Sequence, residues 1–166
     1  MNSLVFMGVA GCGKSSLGSA VASALGLPLI EGDDFHSDKS KQLMRSGIPL
    51  TDELRAGWLE TLGSELEARP DGAVLTCSSL KRAYREVLRR HAPGLRFVFL
   101  DITRDEAMRR VASRAGAHLF PTTLVDSQFA TLESPVGEAG VLRVDATAPL
   151  PDLVAQVSAW FLKDRP

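Results

Sequence analysis

Gly8-Val-Ala-Gly-Cys-Gly13-Lys14-Ser15 sets three glycines, a lysine and a hydroxyl in the pattern G-x-x-x-x-G-K-[ST]. It stands directly after the apolar run Leu4–Met7 and opens a helical pattern, which is the context a phosphate-binding loop requires. Gly8, Gly11 and Gly13 let backbone N–H groups turn inward around phosphate oxygens, with Cys12 as a small residue tolerated among them, and the helix N-terminus adds its positive dipole end. Lys14 is expected to bridge β- and γ-phosphates, the Ser15 hydroxyl to be an inner ligand of Mg²⁺, and Ser16 to be a secondary contact. The plain alternative is a Gly-rich turn that binds nothing, and the complete motif in context argues against it. Nucleotide cradling alone does not separate kinases from GTPases or remodelling ATPases. A guanine-specific GTPase needs an Asn-Lys-x-Asp base reader, yet Asn2 is the only asparagine in the chain. The run at Ala73–Thr76 leads into Cys77-Ser-Ser-Leu-Lys81 rather than into the acidic pair of a remodelling ATPase, so a compact small-molecule kinase fits better.

A second group is Glu31-Gly-Asp33-Asp34-Phe-His36, which follows the second short strand and so falls at the carboxyl edge of the sheet, where open α/β folds bind ligands. Phosphorylating a hydroxyl calls for a carboxylate that orients and deprotonates the attacking oxygen. Asp33 is the candidate base and Glu31 the outer-sphere magnesium partner; Asp34 is read equally as a helix cap. His36 has no Cys/His partner at metal spacing and reads as a hydrogen-bonding group. Cations for an acidic substrate are Arg55, Lys81 and Arg85, the last two four apart on one helix face. Each alone reads as a solvated surface charge, and their joint position after strand ends carries the functional reading. Arg110 and Arg114, also four apart, either neutralise a helix end or reach nucleotide phosphates.

The elements that must position these groups alternate. Short apolar runs at Leu4–Met7, Pro28–Ile30, Ala73–Thr76, Leu95–Leu100 and Val141–Val144 are separated by helical patterns at Ser15–Leu25, Arg82–His91, Arg104–Arg114 and Leu150–Leu162. Strands of that kind predict a parallel sheet buried on both faces, an α/β three-layer fold. Two stretches are too long for simple connections: Ser37–Arg69, read as a helical insertion on the substrate side with Thr51-Asp52 capping a helix through Trp58 and Leu62, and 115–133, read as a lid. The 166 residues, 45% hydrophobic and 23% charged, suit a single domain. A net charge of −1 spread along the chain gives no basic face for nucleic acid. The N-terminal apolar run is too short for a signal or membrane segment, so a cytoplasmic protein is expected, and Cys12 and Cys77 read as free thiols.

Taken in order, the phosphate loop, Glu31-Gly-Asp33-Asp34-Phe-His36, Gly47-Ile-Pro-Leu-Thr-Asp52, Cys77-Ser-Ser-Leu-Lys81 with Tyr84-Arg85, Arg114-Ala-Gly-Ala-His118 and Asp126-Ser-Gln-Phe-Ala-Thr-Leu-Glu133 resemble the motif set of gluconate kinases over nearly the whole chain. The resemblance implies a nucleoside-monophosphate-kinase-like core, five parallel strands in order 2-3-1-4-5, a mobile lid and commonly a homodimer. It implies transfer of the ATP γ-phosphate to the 6-hydroxyl of D-gluconate, with ATP and Mg²⁺ as cofactors and Lys14, Asp33 and Arg114 as the catalytic set. Asp33, Lys81 and Arg85 fall on positions expected to meet substrate, joined by His36, Arg55 and Gln128, while Arg110 falls near nucleotide. The chain departs from the family at Glu53-Leu54-Arg55-Ala56-Gly57-Trp58, where Asp-Arg and a proline before the tryptophan are usual, and at Ser37, where proline often follows the histidine. Two rivals are a kinase for another small hydroxy acid, such as shikimate, and an ATP-binding regulatory module without chemistry.

Overall fold

The computed structural model describes residues 2–113 and 123–163. Its centre is β1 (Leu4–Met7), four fully buried residues whose side chains alternate between the two faces of the sheet. Leu4 and Phe6 pack with Leu17 and Val21 of α1 (Lys14–Leu25) and with Leu153, Val157 and Phe161 of α7 (Leu150–Lys163). Val5 and Met7 turn the other way, onto Trp58, Leu59 and Leu62 of α3 (Asp52–Glu67) and Tyr84 and Leu88 of α4 (Arg82–His91). The continuous apolar character of the strand is therefore the signature of a central strand covered by helices on both sides.

All pairings are parallel, and the order is β2-β3-β1-β4-β5, with β2 (Leu29–Glu31), β3 (Val74–Thr76), β4 (Arg96–Asp101) and β5 (Val141–Asp145). That is the expected topology, and the strand and helix limits agree with the sequence reading to within a residue or two. Because β1 lies between β3 and β4, the direction of winding reverses beside it, and the crevice outside its carboxyl end is where such a sheet admits a ligand. Two further helices follow on the nucleotide side, α5 (Arg104–Ser113) and α6 (Thr123–Thr131).

The stretch between β2 and β3 folds as a 3₁₀ turn at Gly32–Phe35, then α2 (Asp38–Arg45), then α3. Thr51 caps α3 as expected, its hydroxyl accepting from Leu54 N at 3.2 Å. The helix α2 does not stand out in the sequence: only Ser40 and Met44 of its eight residues are buried. Its cap is Ser37, whose hydroxyl accepts from Ser40 N at 3.1 Å. Asp34, read as a possible cap, lies inside the 3₁₀ turn instead, so the serine in the usual place of proline itself starts the helix. Among the described residues no helix is long and apolar enough to cross a membrane.

Candidate active site

The loop from Gly8 to Gly13 leaves β1 and enters α1 with Gly8, Gly11 and Gly13 at φ 148°, 83° and 96°, a region that residues with a Cβ avoid. At Gly8 a Cβ would also lie 2.7 Å from Cys12 Sγ. Lys14 folds back across the loop, donating from Nζ to the carbonyls of Gly8 at 3.0 Å and Val9 at 3.2 Å. Its ammonium is thus held back against the loop's own carbonyls. On the far side of the loop, Arg110 donates to Gly11 O at 3.2 Å and to Ala146 O at 3.1 Å, and it pairs with Glu106. Glu106 is held down at about 2, first by its hydrogen bond from Arg109 and then by Arg110. Arg110 therefore ties the phosphate loop to the turn after β5.

Beside the loop, Ser15 donates its hydroxyl to Glu31 Oε2 at 3.0 Å, and Thr76 donates to the same oxygen at 2.6 Å. The two hydroxyls fix Glu31 at the end of β2, so Ser15 and Glu31, read from the sequence as the inner ligand and the outer-sphere partner of one magnesium ion, touch each other here. One cavity runs from Lys14, Ser15 and Ser16 to Asp33, His36 and Arg55, with Trp58 and Gln128 on its wall. Gln128 accepts from Ala10 N through Oε1 at 2.6 Å, so α6 grips the phosphate loop directly. His36 is 8% exposed, stacked on Trp58 with ring centroids 4.1 Å apart, and its Nε2 lies 3.5 Å from Asp33 Oδ1.

The three substrate-side cations separate. Arg55 lines the cavity with its guanidinium 5.3 Å from the Tyr84 ring centroid. Lys81, just before α4, pairs instead with Asp52 Oδ1 at 3.3 Å, and the Tyr84 hydroxyl donates to that same oxygen at 2.6 Å. Tyr84 first, and Lys81 second, hold the Asp52 carboxyl below its usual range. The residues that line the cavity do not include Lys81 or Arg85.

Arg85 is a correction to the substrate-side set. It is 0% exposed, and all of its guanidinium nitrogens are engaged. Nε and Nη2 meet the Glu138 carboxylate at 3.1 and 2.6 Å, Nη1 donates to Ser79 O and Leu80 O, and Nη2 also donates to Glu133 O. The carbonyls of Ser79 and Leu80 belong to the turn after β3, where Ser79 adopts φ 50°, a strained value for a residue other than glycine. Arg85 thus clamps a strained turn, and the adjacent Ser78 lines the cavity and accepts from Gly8 N at 3.2 Å. No donor is left for a substrate.

Sequence reasoning missed Thr76, Trp58 as the partner of His36, and the Asp52–Tyr84 pair. Asp52 was visible as a capping residue, but its contact with Tyr84 spans 32 positions. Arg114, read as catalytic, and residues 115–122 of the lid segment lie outside the described residues. Both cysteines are free and buried, and burial pushes the Cys77 thiol up to about 11, which keeps it a protonated thiol at neutral pH.

A shikimate kinase family model matches residues 10–128. The thermosensitive gluconokinase of Escherichia coli (strain K12) is 39% identical over 158 residues, covering 93% of this chain and 84% of that protein. The gluconokinase of Gluconobacter oxydans (strain 621H) is 41% identical over 157 residues, with 92% and 86% covered. The crystal structure of a gluconokinase from Sinorhizobium meliloti 1021 superposes with a TM-score of 0.89 at 44% identity, covering 98% of this chain and 92% of that one.

Proposed function

Because the chain belongs to the gluconokinase family of P-loop kinases, we propose that its cavity transfers the γ-phosphate of ATP to the 6-hydroxyl of D-gluconate, giving 6-phospho-D-gluconate and ADP. The shikimate kinase model matches the shared core and stops at 128, whereas the gluconokinase likeness continues over nearly the whole chain, which is why gluconate is preferred to shikimate. The observation that carries the reading is one cavity with a phosphate end at Lys14 and Ser15 and an acid–base and cation end at Asp33 and Arg55.

In this reading the loop amides and Lys14 hold the β- and γ-phosphates, Lys14 exchanging the carbonyls of Gly8 and Val9 for phosphate oxygen. Ser15 and Glu31 offer only oxygen donors, 3.0 Å apart, a set that fits a hard divalent cation. Magnesium held there would neutralise charge developing between the β- and γ-phosphates. Asp33 accepts the proton of the attacking hydroxyl while its oxygen bonds to phosphorus and ADP departs. Arg55 pairs with the substrate carboxylate, since its fork suits a carboxylate and Lys81 and Arg85 are committed elsewhere. Gln128 and His36 complete the substrate wall. Arg110 steadies the loop, and Arg114 is taken to approach the phosphates as residues 115–133 close over the site. We place the enzyme in the cytoplasm as a single-domain protein working as a homodimer, supplying 6-phosphogluconate to the pentose phosphate or Entner–Doudoroff routes; this follows the family pattern.

The test is coupled ADP release with Mg-ATP against D-gluconate, other aldonates, shikimate and nucleoside monophosphates. Gluconate-selective turnover is expected. Turnover confined to shikimate would replace the substrate, and tight ATP binding without any turnover would turn the reading toward a regulatory module.

A further inference from the structure

We propose that His36 is a positioning residue that holds one oxygen of Asp33 through its Nε2–H and so presents the other to the attacking hydroxyl. The proposal rests on the reading of Asp33 as the base. His36 ends the 3₁₀ turn that carries Asp33, and its ring is pinned from one side by Trp58, stacked at 4.1 Å with an interplanar angle of 19°. Trp58 is itself fixed, donating its indole N–H to Gly32 O at 2.8 Å. The imidazole therefore has a fixed plane, anchored to the same turn whose carboxylate it faces.

The two ring nitrogens have different surroundings. Nδ1 is shielded from solvent and has no hydrogen-bond partner among the described residues. Nε2 faces Asp33 Oδ1 at 3.5 Å. Burying an N–H without an acceptor costs the full desolvation of a donor, so the proton belongs on Nε2, where a carboxylate is in reach. The distance is long for a finished hydrogen bond. The Asp33 side chain is 76% exposed, however, and a small rotation closes the gap when substrate fills the cavity, as catalytic hydrogen bonds commonly tighten on binding. A carboxylate held at one oxygen cannot spin away from the hydroxyl, and a misplacement of about 1 Å is enough to cost about a hundredfold in rate.

Amide replacements separate this role from simple packing. The Gln side-chain nitrogen reaches as far as Nε2 and can still donate to Asp33, whereas the Asn amide reaches only as far as Nδ1. We expect His36→Gln to keep kcat within about threefold of wild type and His36→Asn to lose about tenfold or more, in the range of a lost positioned hydrogen bond. The KM for ATP should be unchanged in both, and their melting temperatures equal, since both lose the stack on Trp58. In an Asp33→Asn background, His36→Asn should cost nothing further. Equal kcat in the two amide variants, or an undiminished His36→Asn penalty in that background, would overturn the proposal and leave His36 a packing residue. Near-normal turnover of Asp33→Asn alone would instead remove Asp33 as base, so the two failures are told apart.

Discussion

At the scale of single residues, the decisive difference among the candidate cations is what each already touches. Arg55 faces the cavity over the Tyr84 ring, Lys81 is paired with Asp52, and Arg85 is enclosed by Glu138 and three carbonyls. Replacing Arg55 by Met should raise the KM for gluconate by about ten- to a hundredfold, the worth of a charge-assisted hydrogen bond, and leave the KM for ATP unchanged. The same change at Lys81 should move the KM for gluconate much less. Steady-state kinetics with each substrate varied would show it, and an equal effect at both positions would mean that Lys81 releases Asp52 to join the substrate. The phosphate loop was legible because its chemistry lies within eight consecutive residues whose types are dictated by backbone geometry. The fate of Arg85 was not. Its spacing from Lys81 suggested a shared face, but Glu138 lies 53 positions away, in a loop without periodicity, and decides where the guanidinium goes.

Helix α3 carries Arg55 and Trp58 of the cavity wall in its first two turns, and α4 beside it is tied to it at its far end by His91. That ring rests against Gly63, where a Cβ would lie 2.2 Å from His91 Cδ2. Its Nε2 meets Glu60 at 2.6 Å and its Nδ1 meets Glu67, with Arg90 also 3.7 Å from Glu60. The hydrogen bond to Glu60, and secondarily that to Glu67, raise the His91 pKa above its ordinary value against the opposing effect of burial. A raised folded-state pKa means that the imidazolium contributes stability fully below the unfolded value of about 6.5 and loses it as pH rises through the folded value. His91→Gln should therefore destabilise by about 0.5–1 kcal/mol at pH 6, the size of a solvent-screened pair, with the difference shrinking toward pH 9. Urea unfolding across that range measures it, and a difference independent of pH would mean that the ring acts by packing alone. Element by element, the sequence revealed helices with a strong cap or a long apolar stripe, such as α3 behind Thr51. It hid α2, whose eight residues bury too little for periodicity to register.

Across the whole molecule, the sheet divides two apolar layers that serve different ends of the reaction. The α1 and α7 layer backs the phosphate loop, while the α3 and α4 layer backs Asp33, His36 and Arg55. The division is nominal in energetic terms, because β1 supplies Leu4 and Phe6 to one layer and Val5 and Met7 to the other. Neither layer can be lost while the strand that feeds both stays folded, so the chain should unfold in one transition. The two tryptophans of the chain fall one on each side, Trp58 in the α3 layer and Trp160 packed against the α7 layer. Trp160→Phe leaves Trp58 to report one layer, and Trp58→Phe leaves Trp160 to report the other. Leu17→Ala in α1 and Leu62→Ala in α3, both at fully buried positions, should each cost about 2–5 kcal/mol. For each substitution the urea midpoint should move by the same amount in both single-tryptophan backgrounds, whichever layer is cut. Midpoints that move only for the reporter on the damaged side would show two independent layers. The nucleotide and substrate ends would then be coupled only through the bound ligands and not through the strand they share.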